Sequence, residues 1–125
     1  MKLSVIIPAY NEELIVRDTV RTLWEALNGM QNRGAFDDYE LIFVSDGSHD
    51  ATPDLLRQAE EQYPNVRACI YNPNRGKGYA VRMGMLASDG DIVLYTDCDL
   101  AYGTDVIEAA VRQMTDTGAD VLIGS

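Results

Sequence analysis

The stretch "YELIFVSDGSHDATPDLLRQA", residues 39–59, changes its periodicity part-way along. From Tyr39 to Val44 it is nearly continuous in apolar residues, as expected of a strand covered on both faces, and it stops at Ser45 and Asp46. After the turn residues, Thr52 stands as N-cap and Pro53 at the first helical position, and Leu55, Leu56 and Ala59 form a buried helical stripe. Asp50 and His49 read as the lead-in to that helix. A strand therefore hands over directly to a helix.

The same alternation runs along the whole chain. Strand-like runs recur as "LSVIIPA" from Leu3, "VRACIYN" from Val66, "DIVLYTD" from Asp91 and "ADVLIGS" from Ala119. Between them, Val16, Val20, Leu23, Trp24 and Leu27 make one buried stripe, with Glu12 and Glu13 in its opening turn favouring the helix dipole. A third helix runs from about Lys77 to Ala87, weakened by Gly78 and Gly84 at about 1 kcal/mol each relative to Ala. The fourth has Thr104 as cap, then Ile107, Ala110, Val111 and Met114, with Gly118 closing it. This order predicts an α/β fold, a doubly wound and mostly parallel sheet with right-handed crossovers. Ligands of such sheets bind outside the carboxyl ends of the strands, near the switch in strand order.

Composition narrows the partners. The chain has 125 residues, one domain's length, and a net charge of -10, which argues against a sequence-independent hold on nucleic acid. Against that background Arg75, Lys77 and Arg82 form the one basic cluster, which could serve a local anion or be a solvated helix face. Cys69 and Cys98 lie in apolar runs and read as reduced, buried hydrophobes. The opening "MKLSVIIPAY" is too short for a signal peptide or a membrane span, so a cytoplasmic domain is expected.

Four strand ends carry the chemistry: "PAYNE" (8–12), "SDGSHD" (45–50), "NPNRGKG" (72–78) and "TDCDLAYG" (96–103). Ordinary loops explain the glycines and prolines but do not require acidic residues at three of these ends. With a strand period of two, Asp97 and Asp99 point the same way and Cys98 the opposite way. Paired carboxylates repel unless a cation is near, and few carboxylates completed by phosphate oxygens is the Mg2+ pattern, which Mn2+ also suits. Capping at a strand-to-loop corner is the other reading of this pair. Asp46 could accept from a base N–H or a ribose hydroxyl, or form an Asx-turn with Gly47. Tyr10 could lie against a base or pack on its own strand. The lone His49 has no partner for nucleophilic or zinc chemistry, and the common Gly-rich ATP and dinucleotide fingerprints are absent.

Taken in order, "SVIIPAYNEE", "VSDGSHDAT", "NRGKGYAVRMGML" and "DIVLYTDCDLA" resemble the glycosyltransferase family 2 domain with its GT-A fold, of which this would be the Rossmann-like nucleotide-binding half. The third and fourth stretches look most like the polyprenyl-phosphate branch, the dolichyl-phosphate glucosyltransferases and their mannosyl relatives. The resemblance covers Leu3 to Ser125.

It implies a nucleotide-diphosphate sugar, a UDP- or GDP-hexose, with Pro8, Ala9, Tyr10 and Glu12 lining the base and ribose pocket and Asp46 contacting the base. Asp97 and Asp99 would match the family's metal motif, Asp99 as direct ligand and Asp97 nearer to ribose or metal-bound water. Lys77, with Arg75 and Arg82, would face donor or acceptor phosphates. Ser45 departs from the family's usual double Asp, and Cys98 replaces the small residue usual between the aspartates.

The implied reaction is hexosyl transfer, with inversion, to a polyprenyl phosphate, by an enzyme peripheral to the cytoplasmic membrane. Two other readings stand beside it: a family 2 transferase acting on a polysaccharide or another hydroxyl acceptor through a carboxylate base, and a non-catalytic nucleotide-sugar binding fragment. The resemblance also implies that residues 1–125 are the donor-binding part, cut before the acceptor-binding part and giving little transfer alone. A response-regulator-like domain with no sugar ligand would leave "NRGKGYAVRMGM" unexplained. The sequence does not show the oligomeric state.

Overall fold

Each apolar run is a strand and each periodic segment a helix. The computed structural model describes residues 1–117 and 121–123, the last three and Thr117 without their side chains. The strands are β1 (Lys2–Ala9), β2 (Asp38–Asp46), β3 (Val66–Tyr71), β4 (Ile92–Tyr95) and β5 (Val121–Ile123). The helices are α1 (Val16–Asn32), α2 (Thr52–Gln62), α3 (Lys77–Ala87) and α4 (Asp105–Thr117). The sheet order is β3-β2-β1-β4-β5, every neighbouring pair parallel, so the expected doubly wound α/β architecture is present. Gly118, proposed as the stop of the last helix, lies outside the described residues. No helix among the described residues is long and apolar enough to cross a membrane.

The two faces of the sheet explain why its strands are so continuously apolar. On one face Leu3, Val5 and Ile7 of β1 and Tyr39, Leu41 and Phe43 of β2 pack with Leu23 and Leu27 of α1, Leu56 of α2 and Met114 of α4. On the other, Ile6, Ile42 and Val44 lie under Ala80 of α3. Gly84 is what lets α3 come so close: a Cβ there would stand 2.4 Å from Ile6 Cγ2. At the far end of the sheet, the buried Glu40 carboxylate accepts from Ser4 Oγ at 2.6 Å, Arg67 Nη1 at 3.0 Å and the Asp89 N–H at 3.0 Å. That network ties β1, β2, β3 and the approach to β4 together and pairs the buried Glu40 charge.

Three local expectations are corrected. α1 begins at Val16, not at the glutamates, because Ile15 and Val16 donate to the Glu12 carbonyl in a preceding turn, at 3.1 and 2.8 Å. Glu13 instead serves the neighbouring helix, its carboxylate accepting the Ala51 N–H at 3.1 Å. Thr52 is the first residue of α2 rather than its cap; Asp50 accepts the Thr52 N–H at 2.9 Å while the Thr52 hydroxyl accepts the Glu12 N–H at 2.9 Å. Side chains suited to capping their own helix are bonded across to another loop. Finally, β4 ends at Tyr95, so Asp97 and Asp99 sit on a turn beyond the strand.

Gly84→Ala is expected to destabilise the fold by roughly 1–3 kcal/mol in urea unfolding, despite the better helix propensity of Ala, because the methyl overpacks against Ile6. Gly78→Ala, with nothing within 4 Å of the added carbon, should stabilise by up to about 1 kcal/mol.

Candidate functional site

β1 is paired to β4 from Leu3 to Ile6, whose carbonyl still accepts the Thr96 N–H at 3.0 Å, and beyond that it is paired to β2 alone. Pro8, two residues on, faces the side that β4 has left and has no N–H to lose there. The two strands part, and a cleft of about 350 Å³ opens between their ends. It lies where the chain turns from building the sheet one way, β1 to β2 to β3, to building it the other way, β4 to β5.

Of the residues singled out in the sequence, Pro8, Ala9, Tyr10, Glu12, Asp46, Lys77, Asp97 and Asp99 all line this cleft. Arg75 and Arg82 do not. The Arg75 guanidinium lies over the Tyr79 ring, 5.4 Å from its centroid, and Arg82 is exposed on α3. Asn74, Gly76, Ala80 and Cys98 also line the cleft. Asn74 and Gly76 stood in a quoted strand-end motif, but nothing in their type alone marks a cleft residue.

The loops after β1 and β2 are stitched together. Asn11 N–H donates to Ser48 Oγ at 3.1 Å, His49 N–H to Asn11 Oδ1 at 2.8 Å, and Glu13 N–H to Asp50 Oδ2 at 3.3 Å. Asn11 adopts φ 53°, a left-handed conformation that Asn tolerates, and the turn leaves the neighbouring Tyr10 46% exposed at the cleft. Ser45, which stands where an aspartate was expected, is fully buried and donates to Ser48 Oγ at 3.1 Å, so it supports this stitching from below.

The turn that carries the aspartates is fixed from three sides. Leu100 N–H donates to the Asp97 carbonyl at 3.1 Å, Ala101 N–H to Asp99 Oδ1 at 3.1 Å, and Thr19 Oγ1 of α1 to the Cys98 carbonyl at 2.6 Å. Cys98 is thereby drawn inward to 3% exposure, and the carboxylates on either side line the cleft. The expected burial of Cys98 is found, produced by a turn and not by the strand pleat, but Cys98 does not face away from the aspartates: it lines the same cleft. Burial pushes the Cys98 thiol up to about 12, with the Glu12 charge adding to it. Both cysteines are free, and Cys98 is buried as expected, but Cys69, on β3, is only half-buried.

Lys77, the first residue of α3, reaches across the cleft to Asp97, Nζ to Oδ1 2.7 Å. That hydrogen bond is the main reason its ammonium titrates above the ordinary lysine value. Glu12 is held above the usual carboxylate value first by loss of solvent and then by the charges of Asp99 and Asp50. Asp46 is 4% exposed, and its carboxylate accepts from Tyr71, Asn74, Arg75 and Gly76 rather than closing an Asx-turn.

The sequence model for glycosyl transferase family 2 matches residues 4–125. The chain belongs to glycosyltransferase family 2. It is 38% identical over 135 residues to a dolichyl-phosphate beta-glucosyltransferase of Drosophila melanogaster, covering 100% of this chain and 40% of that protein. A dolichol-phosphate mannosyltransferase of Pyrococcus furiosus is 31% identical over 125 residues, covering 100% of this chain and 33% of that one. Among solved structures, a mannosyltransferase from Pyrobaculum calidifontis in complex with GDP-Man and Mn2+ superposes with a TM-score of 0.76 at 25% identity, over 92% of this chain and 32% of that one. The chain spans less than half the length of the curated relatives it matches.

For a family 2 domain, the donor set of the cleft fits a hard divalent ion. Asp97 and Asp99 offer carboxylate oxygens, and among the described residues no three potential ligand groups gather closely enough to hold an ion unaided. One or two carboxylates with the remaining positions left to ligand oxygens is how Mg2+ is usually held, and Mn2+ accepts the same donors.

The raised Glu12 pKa gives a pH prediction. The folded state holds the Glu12 proton more tightly than the unfolded chain does, so this residue favours folding at low pH and loses that contribution as pH rises through its folded value. Glu12→Gln is therefore expected to raise the melting temperature of the ligand-free protein at about pH 7, with the gain fading towards about pH 4. Thermal unfolding across that range checks it, and a gain independent of pH would contradict the electrostatic cause.

Proposed function

We propose that residues 1–125 form the donor-binding domain of a hexosyltransferase, which takes a UDP- or GDP-hexose with Mg2+ or Mn2+ and transfers the sugar, with inversion, to a polyprenyl phosphate. The observation that carries this reading is the convergence of four strand ends on one cleft at the sheet's switch point, with Lys77 facing the carboxylates of Asp97 and Asp99. The names of the relatives support the acceptor and the hexose, and the solved relative's GDP-Man and Mn2+ support the donor class and the ion. An acceptor of this kind would be met at the cytoplasmic face of a membrane, with the protein peripheral to it.

In this reading Pro8, Ala9 and Tyr10 cover the nucleoside, and Glu12 accepts from its hydroxyl or N–H groups. Lys77 exchanges Asp97 for the diphosphate oxygens, where its positive charge is worth more as the leaving group gains charge. Asp99 and, once released, Asp97 would be the residues to hold the ion. When bound, the divalent ion supplies Lewis-acid stabilisation of the departing nucleoside diphosphate. The fixed strand ends hold the sugar's leaving group in one orientation, which lowers the entropic part of the barrier. A phosphate monoester with its second pKa near ~6 is already an oxyanion at neutral pH, so the attack needs no strong general base from this chain.

Calorimetric titration with UDP and GDP tests the reading. Binding should require Mn2+ or Mg2+, and Asp99→Ala should weaken it by about tenfold or more, while equal affinity in the presence of a chelator would overturn it.

A further inference from the structure

The turn between Asp97 and Asp99 is tied down by a residue far from it in sequence. Thr19 lies near the start of α1, between Val16 and Val20 of the stripe that packs on the sheet, and is itself buried. A helical threonine can satisfy its hydroxyl on the carbonyl four residues back. Here the Ile15 carbonyl accepts the Thr19 N–H at 2.9 Å, while the Thr19 hydroxyl reaches across 79 residues of sequence and donates to the Cys98 carbonyl at 2.6 Å. That carbonyl belongs to the residue between the two aspartates.

The rest of the turn leans on this bond. Leu100 adopts φ 53°, a left-handed conformation that a leucine enters at a cost, and its side chain packs against the core that α1 covers. The bonds from Leu100 N–H to the Asp97 carbonyl and from Ala101 N–H to Asp99 Oδ1 stay within the turn and anchor it to nothing else. The tie from Lys77 to Asp97 is half exposed and is given up when the donor binds. A bond to the backbone, out of solvent, persists whichever partner Asp97 holds. The helix that supplies it hangs from the opposite wall of the cleft, where Ile15 and Val16 donate to the Glu12 carbonyl and Glu12 N–H donates to Thr52 Oγ1. Thr19 therefore fixes the aspartate turn relative to the loop of Tyr10 and Glu12.

We propose that Thr19 is a positioning residue for the divalent ion: its hydroxyl holds the Cys98 carbonyl inward and so sets where Asp97 and Asp99 present their carboxylates. Thr19 does not itself line the cleft. The proposal rests on the donor reading above and adds to it a buried helix residue that acts through the turn.

Thr19→Ser and Thr19→Ala test it as a pair, since both lose the methyl and only Ala loses the hydroxyl. Calorimetric titration of UDP and GDP into the 125-residue chain at a series of Mn2+ concentrations gives the Mn2+ level that half-supports binding. Thr19→Ala should raise that level about fivefold to tenfold, and Thr19→Ser should stay within about twofold of the wild type. A wild-type Mn2+ requirement in Thr19→Ala, or an equal loss in both variants, would overturn the proposal; a merely structural role would lower the melting temperature and leave the Mn2+ requirement of the folded protein where it was. Hydrogen exchange reads the turn without any ligand: the Leu100 and Ala101 amides should exchange faster in Thr19→Ala than in the wild type or Thr19→Ser, and unchanged exchange would also overturn it. If the wild type binds neither nucleotide, the donor reading fails, and the amide exchange alone then decides whether Thr19 holds the turn.

Discussion

Backbone hydrogen bonds hold β1 from both sides only as far as Ile6. Up to that residue the strand is the centre of a parallel sheet, and every group on it is committed to packing or pairing. From Pro8 onward one flank is free, and the residue placed there is the one that has no N–H to leave unsatisfied. The cleft, the aspartate turn beyond β4 and the lysine at the head of α3 all occupy the space released by that parting.

Charge in the cleft is arranged so that each carboxylate has a different fate. Asp97 has an ammonium partner that is itself half exposed and can be exchanged. Asp99 gives one oxygen to its own turn. Glu12 is held above the usual carboxylate value first by its burial and then by the charges of Asp99 and Asp50. Asp46 is buried and fully bonded, which is the only way a charge is kept so far from water without a large cost.

How much could be read in advance follows from the range of the forces involved. Strands and helices were legible because burial on both faces of a parallel sheet leaves continuous apolar runs, and covering helices keep their own stripe. Helix starts were misjudged where Glu13 and Thr52 bonded across to each other's loops instead of to their own first turns. The inward position of Cys98 was expected for the wrong cause, since the strand ends three residues earlier. Arg75 and Arg82 were grouped with Lys77 by sequence proximity, but a helix start sends successive residues in different directions, and only Lys77 lines the cleft.

The sequence by itself determined the alternation of elements, the acidic strand ends and the family, because each depends on residue type and spacing along the chain. Only the tertiary structure decided which of those polar residues share a cleft and which are spent inside the protein. Asp46 and Asp97 both follow apolar runs and look alike in sequence, yet one is bonded by four protein donors and the other by a single exchangeable lysine. The difference comes from what the neighbouring strand end delivers to each: beside β2, the Tyr71 hydroxyl and the backbone that follows β3; beside β4, a parted strand with nothing left to donate. Hydrogen-bond satisfaction is settled in three dimensions, and one residue's type does not contain it.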